Sequence, residues 1–269
     1  MQKRTKGRPR TANSEATGIK SVEIALEILS VLLEQSDKVS LTELSHATGM
    51  ATNKLHRYLV SLTRHGMIAK SEQSGLYNLG PAARRLGAAA LTRFDGFEDI
   101  DEAAHALSAA TDIGTFIYVW SEGGPVMVRS HMTRDALITI KVGSTLPLVN
   151  SGCGPVFLAC LPREWTEPVV RAEFPEERKA SIQKKAHALA KRVQAELSKH
   201  GAYWADPGIV TGVPVCAAPI FDASGQLHSV LGATPISRPF KPSRRSSIVS
   251  AVATTAARVS ETLGYSHDA

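Results

Sequence analysis

From Val22 onward apolar residues recur at helical spacing, at Val22, Ala25, Leu26, Leu29, Leu32 and Leu33, and Ser21 stands where a side chain can cap the start. This predicts a first helix. The stretch Ser40 to Met50 sets Leu41, Leu44 and Ala47 on one helical face and closes at Gly49, a residue suited to a tight turn. A further helical run starts at Thr52, buries Leu55, Tyr58, Leu59 and Leu62, and stops at His65-Gly66. Two helices joined by so short a turn predict a helix-turn-helix. The spacing then changes to that of strands. Met67 to Lys70 and Leu76 to Leu79 flank the polar turn Ser71 to Gly75, which reads as a β-wing, and Pro81 opens an alanine-rich helix running to about Arg93.

The rest of the chain mixes both periods. An amphipathic stretch covers Phe97 to Ala110, and Thr115 to Trp120 and Val126 to His131 form a hairpin around Gly123-Gly124-Pro125. Leu137 to Val142 is a third strand candidate, and helices are expected from Pro155 to Cys160 and from Ile182 to Lys199. Val213 to Phe221 and Leu227 to Ile236 flank Asp222 to Gly225 as a second hairpin, and Ile248, Val252, Ala256, Val259 and Leu263 mark a closing helix. Strands at both ends with helices between them predict an α+β domain, a mainly antiparallel sheet covered by helices. The expected organisation is a basic tail over 1–17, a winged helix-turn-helix over 18–80, a linker helix over 81–95 and a ligand-binding and oligomerisation domain over 96–269.

Composition narrows the class. A chain of 269 residues with 43% hydrophobic content can bury two cores, and no stretch is apolar for the roughly 20 residues of a membrane span. The start is basic rather than apolar, so no secretory signal is read, and a cytoplasmic, membrane-free protein is expected. Cys153, Cys160 and Cys216 are odd in number and match no metal or redox spacing, which fits a reducing compartment. The histidines His105, His131, His200 and His228 are scattered, so no metal site or cofactor is expected. The net charge of +6 is concentrated at one end: Lys3, Arg4, Lys6, Arg8 and Arg10 precede Asn13 with no acid among them. Lys6-Gly7-Arg8-Pro9-Arg10 resembles an AT-hook. It can lay Arg8 and Arg10 along a narrow minor groove or attract phosphates without specificity.

In a helix-turn-helix the second helix enters the major groove, so its exposed N-terminal positions carry donors and acceptors for base edges. Thr52, Asn53, Lys54, His56 and Arg57 fill that stretch, with Thr42 in the helix before it. Arg64, Lys70 and Tyr77 are placed as phosphate contacts. In the second domain, Pro147 to Cys160 runs from a small, glycine-rich turn directly into a helix. Backbone N–H groups are expected to collect there, Asn150 or Ser151 to cap, and Gly152 and Gly154 to admit close approach of an anion such as a carboxylate. A turn shaped by chain geometry alone gives the same residues. Two rival readings exist: Cys153 as the nucleophile of a cysteine-dependent hydrolase, its thiol activated by the helix N-terminus, and a ligand-independent architectural DNA binder. The spacing Gly152-Cys153-Gly154 is tighter than a nucleophile elbow requires, so no catalysis is assigned.

From about Gly18 the sequence resembles the IclR (isocitrate lyase regulator) family of bacterial transcription factors. The resemblance lies in Gly18 to Leu29, in Leu41 to Ser45 with Leu55 to Leu59, and in Tyr77-Asn-Leu-Gly. It continues in Val142-Gly143, Leu146-Pro147, Ser151 to Gly154, Gly212-Val213 and Ala217 to Asp222. It implies a GAF-like effector domain and homodimers joined through the DNA-binding domains, often paired into tetramers. It also implies a double-stranded operator, RNA polymerase as a further partner, and a small organic acid or aromatic catabolite as effector. The ligand's carboxylate would meet the amides of Ser151, Gly152, Cys153 and Gly154. Ile138 would form a wall, and Ala205, Asp206, Val215 and Cys216 would lie across the cavity. Three positions depart from the family's pattern: Ala205, where a polar residue is frequent; Val215, with the cysteine displaced to Cys216; and Pro155, where lysine is common. On a strand, one residue changes the face.

Overall fold

In the computed structural model, which describes residues 18–35, 37–92, 96–111, 113–132, 140–206, 213–235 and 242–266, the first helix α1 (Lys20–Glu34) buries Ile24, Ile28 and Leu32. The stripe expected from spacing is only partly the buried one: Val22, Leu26 and Leu33 are 51%, 57% and 53% exposed. The helix is apolar on two sides, and periodicity alone does not choose which side meets the core. Ser21 lies inside the first turn. The N-cap position is Ile19, which provides no side-chain cap, and the acid in that turn is Glu23.

Helix α2 (Leu41–Thr48) starts at a capping box. The Glu43 N–H donates to Ser40 Oγ at 3.2 Å, and the Ser40 N–H donates to the Glu43 carboxylate at 2.7 Å. It ends at Gly49, whose φ of 63° is the left-handed conformation that glycine adopts without strain. Leu44 points into the core, whereas Ala47, expected there, is exposed. Helix α3 (Thr52–Arg64) follows three residues after α2 and buries Leu55 and Leu59. Strands β1 (Ile68–Lys70) and β2 (Tyr77–Leu79) form the wing, and Val39 bridges Tyr77 from the other side. Helix α4 (Pro81–Thr92) leads onward, and the division into two compact units falls within it, between Ala89 and Ala90.

The second unit is a five-stranded antiparallel sheet between two helical layers. Its elements are α5 (Phe97–Thr111), β3 (Ile113–Ser121), β4 (Gly124–His131), α6 (Gly154–Cys160), α7 (Arg163–Glu173), α8 (Lys179–His200), β5 (Tyr203–Ala205), β6 (Val215–Phe221), β7 (Leu227–Pro235) and α9 (Arg245–Thr262). The strands lie in the order β4-β3-β7-β6-β5. Alternation sorts the side chains between two cores. Ile113, Ile117, Cys216, Ala218, Leu231 and Ala233 face α5 and α9, while Phe116, Tyr118, Ala217 and Val230 face α6 and α8. An α+β fold with an antiparallel sheet is thus what forms.

Two elements were not expected from the sequence. Helix α7 contains Pro168, which reads as a breaker, and β5 is only three residues long. Of the third strand expected over Leu137 to Val142, residues 137–139 lie outside the described residues. Ile140 to Val142 are not a strand, and the chain turns at Gly143, with φ 93°.

Candidate functional site

The polar side of α3 follows from what its apolar side buries. Leu55 and Leu59 are at most 1% exposed, which turns Thr52, Asn53, Lys54, His56 and Arg57 outward, and all five are exposed. The helix carries no acidic residue, and its N-cap Ala51 offers no side-chain acceptor. Its first-turn N–H groups and cations therefore present one sign of potential to an approaching anion. Thr42 on α2 and Arg64 at the end of α3 are exposed as well. On the wing, Lys70 lies over the Tyr77 ring with its Nζ 5.5 Å from the centroid. Tyr77, expected as a phosphate contact, is only 4% exposed and belongs to the core. Arg8 and Arg10 lie outside the described residues.

Among the described residues of the second unit, a small cavity of about 30 Å³ is lined by Phe116, Tyr118, Met127, Ile140, Leu146, Gly152, Cys153, Val213, Val215 and Thr234. Its polar side chains are the Tyr118 and Thr234 hydroxyls and the Cys153 thiol. Burial pushes the Tyr118 phenol well above its ordinary pKa, with Cys153 beside it as the second cause. Burial likewise pushes the Cys153 thiol up to about 12, against the lowering effect of Ser151 and nearby backbone bonds. A thiol 1% exposed and so weakly acidic is not the activated nucleophile considered from sequence. A larger groove of about 780 Å³, lined in part by Lys199, His200, Trp204 and Arg245, lies at the surface between α8 and α9. It contains none of the residues assigned to a site from sequence.

One wall of the cavity is the loop that leads into α6, and the loop is wound tightly. A Cβ at Gly152 would collide with the Val215 side chain, and one at Gly154 with the carbonyls of Pro147 and Leu148. The Gly154 N–H donates to Ser151 Oγ at 2.8 Å, so Ser151 caps from three residues upstream. The N–H groups of Leu148, Val149 and Asn150 donate to the Glu173 carboxylate at 2.8, 3.0 and 3.1 Å. A carboxylate of the protein's own thus occupies three amides of this loop, just before the Ser151 to Gly154 stretch singled out from sequence.

The residues expected around an effector separate accordingly. Gly152, Cys153 and Val215 line the cavity together. Ser151 and Gly154 stand behind it and shape the loop. Ala205 is buried opposite Val215 in the β5–β6 pairing and is not in the lining. Asp206 is exposed and accepts the Trp204 indole N–H at 3.3 Å, so it does not reach the cavity. Cys216 is fully buried on the opposite face, toward α5 and α9, as the one-residue displacement from Val215 requires. Ile138 lies outside the described residues. Phe116, Tyr118, Met127 and Thr234 were missed. For Phe116 and Tyr118 the alternation within β3 was a usable signal, because these even positions share one face of the sheet and Ile113 and Ile117 share the other.

Residues 21–72 match the model of the IclR helix-turn-helix domain. The chain is 28% identical over 144 residues to the HTH-type transcriptional regulator XynR of Escherichia coli, covering 53% of this chain and 57% of that protein. It is 34% identical over 98 residues to the HTH-type transcriptional regulator BhcR of Paracoccus denitrificans, covering 35% of each. The chain thus spans about half the length, or less, of the curated relatives it matches. Among solved structures, Pseudomonas aeruginosa HmgR is similar with a TM-score of 0.55 and 27% identity over 93% of this chain and all of that one. An IclR transcriptional regulator from Alicyclobacillus acidocaldarius shares the fold with a TM-score of 0.73 at 22% identity, over 93% of this chain and all of that one.

Proposed function

We propose, from the premise that this chain belongs to the IclR family of transcriptional regulators, that it reads an operator through α3 and that a small molecule held in the second unit controls that binding. The observation that carries the DNA-reading part is the outward set Thr52, Asn53, Lys54, His56 and Arg57, all exposed on a helix without an acid. Asn offers a donor and acceptor pair suited to adenine, and Lys and Arg offer donors suited to guanine or phosphate. Thr42, Arg64 and Lys70 position the unit on the backbone.

The effector is a small, mostly apolar molecule with one polar or acidic group, in keeping with a lining that is apolar except for the Tyr118, Cys153 and Thr234 side chains. A cavity of about 30 Å³ has room for a water but not for an aromatic ring, so binding requires the walls to move. Self-association through the first unit is supported by Ile19, Val22, Leu26 and Leu33, which leave α1 with an apolar face toward solvent. A symmetric dimer presents two copies of α3 to half-sites about 34–36 Å apart.

A thermal-shift screen of the full chain against small carboxylic and aromatic acids tests the effector reading. A compound present at a hundred times its Kd adds about 2.7 kcal/mol of stability. A hit that also changes operator affinity supports the proposal, and a panel with no hit removes an acid effector from it.

A further inference from the structure

Glu173 is the last residue of α7, where the helix dipole and the unpaired carbonyls disfavour a negative charge. Its partners among the described residues are three consecutive backbone amides, those of Leu148, Val149 and Asn150, and no cation. A carboxylate that accepts several N–H groups at such distances makes charge-assisted bonds, about twice as strong as neutral ones. They compensate for an unfavourable helix end and fix a loop that has no regular structure of its own.

That loop is tied at three points. Before the clamp, the Leu146 N–H donates to the Pro125 carbonyl at the start of β4, at 2.8 Å. After it, Ser151 holds the Gly154 amide, and Gly152 packs without a side chain against Val215 of β6. From the same loop, Leu146, Gly152 and Cys153 line the cavity. Glu173 itself does not line it. The carboxylate holds residues 148–150, and the loop residues that line the cavity, Leu146, Gly152 and Cys153, flank that stretch in the chain.

We propose that Glu173 is the positioning residue of the cavity: its carboxylate holds residues 148–153 in the closed arrangement, and release of those amides is the movement that makes room for a ligand. The ligand-entry part rests on the effector reading above, whereas the clamp stands on geometry alone. A glutamine at 173 keeps one acceptor oxygen, enough for the two amides that share Oε2, and turns an NH₂ toward the Asn150 amide. An alanine removes every acceptor. The clamp therefore loosens in the order wild type, Glu173→Gln, Glu173→Ala.

Amide hydrogen exchange on the full chain, read by mass spectrometry, tests this directly. Peptides covering 147–153 are expected to exchange at least tenfold faster in Glu173→Ala and by an intermediate factor in Glu173→Gln, with β3 and β7 unchanged. Alkylation of Cys153 by iodoacetamide should accelerate in the same order, and the exposed neighbour variant Glu176→Ala should resemble wild type. If Glu173→Ala does not fold, Glu173→Gln carries the test alone. Unchanged exchange at 147–153, or an increase spread evenly over the second unit, overturns the assignment. A thermal-shift panel without a hit would remove the effector reading while the exchange result still decides the clamp.

Discussion

The two units place their chemistry on opposite sides of their cores. In the first, the residues proposed to read DNA are those the core leaves out: with Leu55 and Leu59 buried, Thr52, Asn53, Lys54, His56 and Arg57 face solvent. In the second, the proposed effector site is inside, and four amides of the loop that shapes the cavity are held, those of Leu148, Val149 and Asn150 by Glu173 and that of Gly154 by Ser151. The face proposed to read DNA is exposed as it stands. The cavity is small, at about 30 Å³, so under the effector reading proposed above a ligand displaces part of its lining. On the proposed function, sequence reading rests on exposed surface chemistry and regulation on a conformational change.

Removing a core residue of the first unit should have the largest effect. Leu55→Ala leaves a cavity where the side chain is 0% exposed and should cost about 2–5 kcal/mol, read as a lower melting midpoint with loss of DNA binding. In the second unit, Gly152→Ala forces a methyl group against Val215 and should cost about 1–3 kcal/mol; it should also weaken any ligand-induced thermal shift while leaving DNA affinity at low ligand unchanged. Lys54→Ala and Arg57→Ala should reverse that pattern. Each is expected to remove about 1–3 kcal/mol of specific DNA binding, measured by fluorescence anisotropy, with no change in melting midpoint.

Smaller effects sharpen the picture of the first unit. Ser40→Ala breaks the capping box of α2 and should cost about 0.5–2 kcal/mol in thermal unfolding. The same box holds Glu43 below its ordinary pKa, first through the Ser40 N–H and then through the Ser40 hydroxyl. A depressed carboxylate contributes stability above its unfolded pKa and loses it as pH falls through the folded one. Acidification below the ordinary glutamate range should therefore destabilise the wild type more than Glu43→Gln, measured as the melting midpoint against pH. Deleting residues 1–13 should lower the salt dependence of DNA binding, with a log–log slope reduced by about 0.9 for each phosphate no longer neutralised.

How far each region was legible in sequence follows from the same contrast. The helix-turn-helix was readable because its signals are local: the apolar spacing of α3, the Ser40 to Glu43 box and the left-handed Gly49 lie within a few residues of what they shape. Even there, the buried side of α1 was not, because Val22, Leu26 and Leu33 are as apolar as the stripe that faces the core. Tyr77 looked like a polar contact and is a core residue, since a phenol ring fits either place. The cavity was legible at Gly152, Cys153 and Val215 but not on its remaining walls. Phe116, Met127 and Thr234 come from three strands that only the sheet order brings together, and Glu173 sits on a helix that Pro168 concealed. Segments far apart in the chain that meet only in the fold leave no spacing in the sequence to read.

Selection of bound sequences from a random pool of duplexes by the full chain tests most directly whether α3 reads DNA. Wild type should enrich two half-sites with centres about 34–36 Å apart along the duplex, and the double variant Lys54→Ala, Arg57→Ala should enrich none. Recovery of the same motif with the same enrichment by both proteins would contradict the account.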